Sequence, residues 1–263
     1  MSFRLLFVGD VVGEAGVEAV AGIVPGLREG LGLDVVVVNG ENSAPGGRGI
    51  TEEGSDALLS VADFLTLGNH AFDAGGKFME REPRVARPAN LKSGLPGRGW
   101  GMFEAGGARV GVANVLGRVF LDERMASPFE AADRAVGEME EAGADLILVD
   151  VHAEATSEKQ AMGYHLDGRA QVVVGTHTHV PTADDTVLPG GTAYATDVGM
   201  TGREGSVIGF DREDFMALFL GRPRKIGIAT EGPVIFRAVV VDLDVEIRRA
   251  TGIERLTRTW PAS

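Results

Sequence analysis

The chain has 263 residues, of which 44% are hydrophobic and 24% charged, an ordinary globular composition with enough apolar side chains for a full core. A net charge of −13 without any long basic stretch argues against sequence-independent binding of duplex nucleic acid, and the absence of cysteine excludes disulfides, thiolate zinc sites and a cysteine nucleophile. No stretch approaches the ~18 apolar residues that span a bilayer, and the apolar start is short and lacks the basic flank of a signal peptide. A cytoplasmic protein without membrane association is therefore expected.

In chain order, residues 3–8 predict a short apolar strand, ended by Gly9-Asp10-Val11-Val12-Gly13-Glu14. Residues 17–31 predict an amphipathic helix that Pro25 and Gly26 would interrupt. The run Val35-Val36-Val37-Val38 predicts a buried strand leading into Asn39-Gly40-Glu41-Asn42 and a glycine-rich loop. Thr51 is placed to cap a helix that begins with Glu52 and Glu53. Residues 63–67 predict the next strand, which runs into Gly68-Asn69-His70. This β-loop-α alternation implies parallel strands with right-handed crossovers.

Further on, residues 75–81 predict a helix, followed by a strand near Val85. Residues 108–116 predict a strand, 128–142 a helix, and 145–151 a strand ending at His152. Residues 156–164 predict a helix, and 170–175 a strand leading into Gly175-Thr176-His177-Thr178-His179. After Gly190 the pattern changes. Residues 192–195 and 234–244 alternate like antiparallel strands, with a helix over 212–220 between them. No repeat or linker interrupts the chain, so one domain over residues 1–263 is expected. Its predicted architecture is α/β: two mixed β-sheets packed face to face and flanked by helices, a four-layer α/β/β/α sandwich, although periodicity alone does not choose this over a plain three-layer fold.

Five of these strand ends carry oxygen or imidazole donors, in a chain with only five histidines. Asp10, Glu41, Asn69, His152 and the His177/His179 pair are the residue types that ligate hard or borderline cations. On an extended chain the two rings of His177-Thr178-His179 would lie on one side, roughly 6–7 Å apart. Two metals about 3.5–4 Å apart could each take one ring. Each residue also has an ordinary reading. Asp10 could cap a helix, Asn69 could sit in a turn, His152 could be a hydrogen-bonded core histidine, and Glu41 could be solvated. It is the joint occurrence that favours a two-metal phosphoesterase.

Other signals are weaker. Gly9 to Gly16 does not match G-x-G-x-x-G, and no serine lies in a nucleophile elbow. The loop Pro45-Gly46-Gly47-Arg48-Gly49 reads as flexible before it reads as a phosphate cradle, and His165 reads as structural.

In these motifs the chain resembles the calcineurin-like metallophosphoesterases, which carry an Asp after strand one, an acid after strand two, Gly-Asn-His, a lone His, and Gly-x-His-x-His. It departs from the common pattern where Asp10-Val11-Val12 lacks the first-motif histidine, where Glu41 replaces the bridging Asp, and where Ala71 follows Gly-Asn-His. Those departures are similar to the YmdB-type bacterial phosphoesterases. The likeness extends to His152-Ala153-Glu154-Ala155-Thr156-Ser157-Glu158-Lys159 and to Thr196-Asp197-Val198-Gly199-Met200-Thr201-Gly202.

The resemblance implies the metallophosphoesterase fold and hydrolysis of 2′,3′-cyclic nucleotides to 3′-nucleotides. It implies two metal ions per chain, for which the mixed oxygen and nitrogen donors suit Fe or Mn and tolerate Zn. One metal would be held by Asp10, Glu41, Asn42 and His179. The other would be held by Glu41, Asn69, His152 and His177, with Glu41 bridging. A hydroxide between the metals would attack phosphorus while His70, not itself a ligand, protonates the leaving 2′-oxygen. Asp73, Glu154 and Asp197 are candidates to orient imidazoles.

The expected partner is a small phosphodiester, with neither duplex nucleic acid nor membrane, and the family resemblance implies a homo-oligomer. The alternatives are a phosphomonoesterase or a short-RNA nuclease on the same site, or a regulator that binds metal and cyclic nucleotide without turnover.

Overall fold

The computed structural model describes residues 2–121, 125–222 and 224–261. In chain order the elements are β1 (Ser2–Val8), β2 (Asp10–Val11), α1 (Gly13–Leu31), β3 (Val35–Asn39), α2 (Glu52–Leu59) and β4 (Phe64–Thr66). A 3-10 turn (Lys77–Glu80) precedes β5 (Val85–Ala86), β6 (Trp100–Ala105), β7 (Ala108–Leu116), α3 (Pro128–Glu141) and β8 (Leu146–His152). Then come α4 (Thr156–Leu166), β9 (Val172–Thr176), β10 (Thr186–Val187), β11 (Ala193–Ala195), β12 (Met200–Arg203), α5 (Arg212–Phe219), β13 (Val234–Asp244) and β14 (Arg249–Trp260).

The strands form two mixed sheets. The larger runs β2-β12-β13-β1-β3-β4-β5, with β14 paired to β13, and the smaller runs β10-β11-β9-β8-β7-β6. In the first, β1, β3 and β4 are mutually parallel neighbours, and in the second so are β7, β8 and β9.

Period-two alternation assigns each strand residue to a layer. Phe3, Leu5, Phe7, Val35 and Val37 face Val110, Val112, Leu146, Leu148, Val172 and Val174 across the space between the sheets. The alternate residues Leu6, Val8, Val36 and Val38 pack outward with Val20 and Val24 of α1 and Leu58 and Leu59 of α2. Ile147, Val149 and Val173 likewise pack against Ala132, Val136, Met162 and Leu166 of α3 and α4. Three apolar layers separate four structural ones, which is the predicted α/β/β/α sandwich. The central strands read as unbroken apolar runs because both of their faces are buried.

Several local expectations are corrected. Helix α1 runs unbroken from Gly13 through Pro25. Pro25 lies on the exposed side, where water can satisfy the carbonyl that lacks its helical donor. The predicted helix over 75–81 is only the 3-10 turn, since Gly75 and Gly76 have φ of 120° and 114°. Strand β6 went unseen, although Gly106-Gly107, with φ of 55° and 79°, is the two-residue hairpin turn that joins it to β7. Strand β11 pairs antiparallel with β10, as its alternation suggested, but parallel with β9 on its other side. Strand β14 was not predicted, because its Arg, Glu and Thr residues give it no clear apolar face; among the described residues it pairs with β13 alone. Among the described residues no helix is long and apolar enough to cross a membrane.

Candidate metal centre

The parallel strands deliver the donor residues to one edge of the sandwich. Asp10 follows β1, Glu41 and Asn42 follow β3, Asn69 and His70 follow β4, His152 ends β8, and His177 and His179 follow β9. Asp10 does not cap α1, whose capping position is Val12 with no side-chain bond. Its carboxylate is fully buried and accepts the His177 N–H at 3.3 and 3.2 Å.

Four donor atoms crowd one point. His152 Nε2 lies 2.9 Å from Glu41 Oε1, 3.0 Å from Asn69 Oδ1 and 3.0 Å from His177 Nδ1. The ligand atoms of Glu41, His152 and His177 all fall within 4.8 Å of one another. A second group adjoins it: His179 Nε2 is 3.2 Å from Asn42 Oδ1 and 3.9 Å from Asp10 Oδ1. The two groups bring together the residues that the resemblance assigned to two ligand sets, with Glu41, assigned to both, lying beside His152 and His177. His165, away from both groups, pairs with Asp133 at 2.9 Å on the surface, as a structural residue would.

The buried charges distort one another. Burial opposes a proton on His152, but the Glu41, Asp10 and Asp150 carboxylates outweigh it and raise the ring to about 9. Burial also works against ionised Glu41, yet His152 and the His70 N–H bring its carboxyl down to about 2. Burial, reinforced by the charge on His152, depresses His177 to about 3, so that ring is neutral. Burial raises Asp10.

Around the donors stand residues that aim them. Glu154 Oε2 lies 3.1 Å from His177 Nε2, so the Nδ1 of that ring is turned inward. The Ile208 carbonyl holds His179 Nδ1 at 2.8 Å, which turns Nε2 inward. His70 stands apart. Its backbone N–H donates to Glu41 Oε2 at 3.0 Å, and its half-exposed ring is held at Nδ1 by Asp73 at 2.7 Å.

The His177-Thr178-His179 segment departs from the extended geometry read from sequence. Strand β9 stops at Thr176, and His177 and His179 have φ of 95° and 64°, a left-handed backbone that costs on the order of 1–3 kcal/mol per residue. The intervening Thr178 explains how this is held. Both its N–H (3.2 Å) and its hydroxyl (2.7 Å) donate to Asp197 Oδ2, which also receives the buried Lys159 ammonium at 2.7 Å. The bend sends one ring to each donor group. Lys159 went unsingled in the sequence; a lysine at a core position of α4 was the available signal.

Gly68 makes the crowding possible. A Cβ there would collide with Glu41 Oε2 and with the His152 ring. Gly68→Ala is expected to destabilise the chain by about 1–3 kcal/mol, the usual cost of overpacking. Urea unfolding of metal-free protein checks this, and a midpoint equal to the parent's would show that the backbone retreats freely.

Comparison with known proteins places these features in company. A family model described as YmdB-like protein matches residues 6–256. A Bacillus subtilis (strain 168) protein named 2′,3′-cyclic-nucleotide 2′-phosphodiesterase is 43% identical over 257 residues, covering 96% of each chain. The crystal structure of a hypothetical protein from Thermus thermophilus superposes with a TM-score of 0.90 at 43% identity, over 98% of this chain and 100% of that one. The crystal structure of a novel phosphatase from Mycoplasma pneumoniae gives 0.89 at 31% identity, over 98% and 94%.

Proposed function

The chain belongs to the YmdB-like protein family, and from that premise we propose that it is a metal-dependent phosphodiesterase that opens 2′,3′-cyclic nucleotides to 3′-nucleotides. The observation that carries this reading is the convergence of His152 Nε2 with Glu41 Oε1, Asn69 Oδ1 and His177 Nδ1 within 3.0 Å, beside the His179, Asn42 and Asp10 group. The name of the Bacillus subtilis relative supports the substrate class.

The residues fit a pair of divalent cations. Two imidazole nitrogens 3.0 Å apart repel through their lone pairs unless something positive lies between them. In the metal-free chain the proton held on His152 supplies that charge. Asp10, Glu41, Asn42 and His179 would hold one ion, and Glu41, Asn69, His152 and His177 the other. This mixed oxygen and nitrogen set suits Fe or Mn and tolerates Zn. When bound, such ions supply positive charge against the phosphoryl oxygens and acidify the water that attacks phosphorus.

The chain's own residues do the rest. Asp10 and Glu41 bring two negative charges, which leaves the occupied site net positive for an anionic diester. Asp73 fixes the His70 ring through Nδ1. From there His70 gives its proton to the leaving ribose 2′-oxygen as the P–O bond breaks. Glu154 and the Ile208 carbonyl keep His177 and His179 aimed while charge redistributes.

A pH signature follows. In chelated protein the folded His152 is raised to about 9 from 6.5, so its contribution to stability is full below 6.5 and is lost as pH rises through 9. The raised Asp10 acts with the same sign, since its folded form binds the extra proton. Urea midpoints of chelated protein are therefore expected to fall as pH rises from 6.5 to 9. Metal-loaded protein, whose His152 is already unprotonated, is expected to lack that fall. A flat profile in chelated protein would contradict the charge arrangement described here.

The reaction itself is tested by incubating purified protein with 2′,3′-cyclic AMP, with added Mn²⁺ and after chelation. Metal-dependent release of 3′-AMP is the expected result. Turnover of 3′-AMP or of a short oligoribonucleotide with the cyclic diester untouched would replace this reading with a phosphatase or nuclease, and intact ligand in every metal would favour a binding protein.

A further inference from the structure

Beneath the donor cluster lies a set of buried polar side chains that the reaction does not use directly. Asn39, Thr66, Asp150 and Thr176 are each 0% exposed. Asn39 and Thr66 end strands of the larger sheet, while Asp150 and Thr176 belong to strands of the smaller one. They meet across the space between the sheets, so polar groups stand where the apolar layer would otherwise continue. Asp150 precedes His152 by two residues on β8, and both therefore face that space.

The hydrogen bonds in this set have a direction. Asp150 Oδ2 accepts from Asn39 Nδ2 at 2.8 Å and from the Thr66 hydroxyl at 2.6 Å, and Asp150 Oδ1 accepts from the Thr176 hydroxyl at 2.7 Å. The orientation of the Asn39 amide is settled by its other end, where Oδ1 accepts the Glu41 backbone N–H at 3.1 Å. An N–H can only donate, so the Asn39 NH₂ must face Asp150.

A threonine hydroxyl has one hydrogen. Thr176 spends it on Asp150, so toward His152 Nδ1, 2.9 Å away, its oxygen can only accept. That contact requires a hydrogen on Nδ1. In a neutral imidazole only one nitrogen is protonated, which leaves Nε2 with its lone pair. Nε2 is the atom that faces Glu41, Asn69 and His177. If Thr176 pointed its hydrogen at the ring instead, Nε2 would carry the proton and the cluster would lose its central donor.

We propose that Thr176 and Asp150 form a positioning relay that holds His152 in the Nδ1–H tautomer, presenting Nε2 as the donor to the cation. This rests on the metal-centre reading above. Neither residue touches the substrate; both act through His152. Asn39 and Thr66 complete the device by saturating the far oxygen of Asp150, and Asn39 ties the same node to the backbone of Glu41, a second donor in the cluster. One buried carboxylate thus orients ligands arriving from both sheets.

The test compares Thr176→Val with Thr176→Ser. Valine keeps the branched shape and removes the hydroxyl; serine keeps the hydroxyl and removes the methyl. Zn²⁺ affinity is read by competition with a chelator, and the protonated nitrogen of His152 by ¹⁵N NMR of the Zn²⁺-loaded proteins. Thr176→Val is expected to weaken zinc binding roughly 10–100-fold, the range for residues that orient a metal-ligating histidine. Thr176→Ser is expected to restore it, and wild-type His152 to carry its hydrogen on Nδ1. Equal losses in both variants would reduce Thr176 to a packing residue and overturn the relay. So would unchanged affinity in Thr176→Val, or a wild-type hydrogen on Nε2. A wild-type chain that takes up no zinc, iron or manganese would overturn the metal centre itself, and the relay with it.

Discussion

His152→Ala is expected to empty the deeper cation position and bring cyclic-nucleotide turnover to background. The ring is fully buried, and its Nε2 is the atom on which Glu41, Asn69 and His177 converge. Alanine removes a ligand and also leaves Glu41 facing Asp10 with less positive charge between them, in a region where burial already raises Asp10. The loss should exceed the roughly 10–100-fold typical of residues that act only through a ligand. Metal content by elemental analysis and turnover of 2′,3′-cyclic AMP measure the two effects separately. Wild-type stoichiometry with full activity would remove His152 from the centre and take the dinuclear reading with it.

His70→Ala is expected to behave differently, losing roughly 10²–10⁴-fold in turnover while keeping both metals. The contrast comes from geometry. The link between His70 and the cluster is a backbone N–H to Glu41, which alanine retains, whereas the ring is turned to Asp73 and solvent. Removing the ring deletes a proton donor without deleting a ligand. Loss of metal from this variant would make His70 a ligand. Unchanged turnover of a substrate with a poor leaving group would end its role as acid. An activated aryl diester, whose leaving group needs little protonation, should suffer much less than the cyclic nucleotide, and that ratio separates acid catalysis from general damage to the site.

The legibility of this protein in its sequence was uneven for physical reasons. The buried strands were readable because parallel strands covered on both faces write themselves as runs such as Val35-Val36-Val37-Val38, and donors placed straight after such runs stand out, whereas periodicity alone did not choose four layers over three. What escaped was local and polar. Strand β14 carries too many Arg, Glu and Thr residues to show an apolar face, and the hairpin of β6 and β7 depended on positive φ at Gly106 and Gly107. The supporting residues escaped too. Asp150 and Lys159 look like flaws in apolar patterns until their partners are known, and those partners lie 26 to 111 residues away for Asp150 and 38 away for Lys159.

By itself, then, the amino-acid sequence determined which residues could serve as donors and at which strand ends they would appear, because strand period and glycine turns are local properties of the chain. It did not determine how those donors face one another. That His177 and His179 part to separate groups follows from a left-handed backbone held through Thr178 by Asp197 and Lys159. That Asp10 receives the His177 N–H joins residues 167 apart. Which nitrogen of His152 is free depends on a hydroxyl and a carboxylate brought beneath it as the two sheets close. Such contacts exist only once the apolar layer between the sheets has formed, so the identities of the donors belong to the sequence and their aim belongs to the packing.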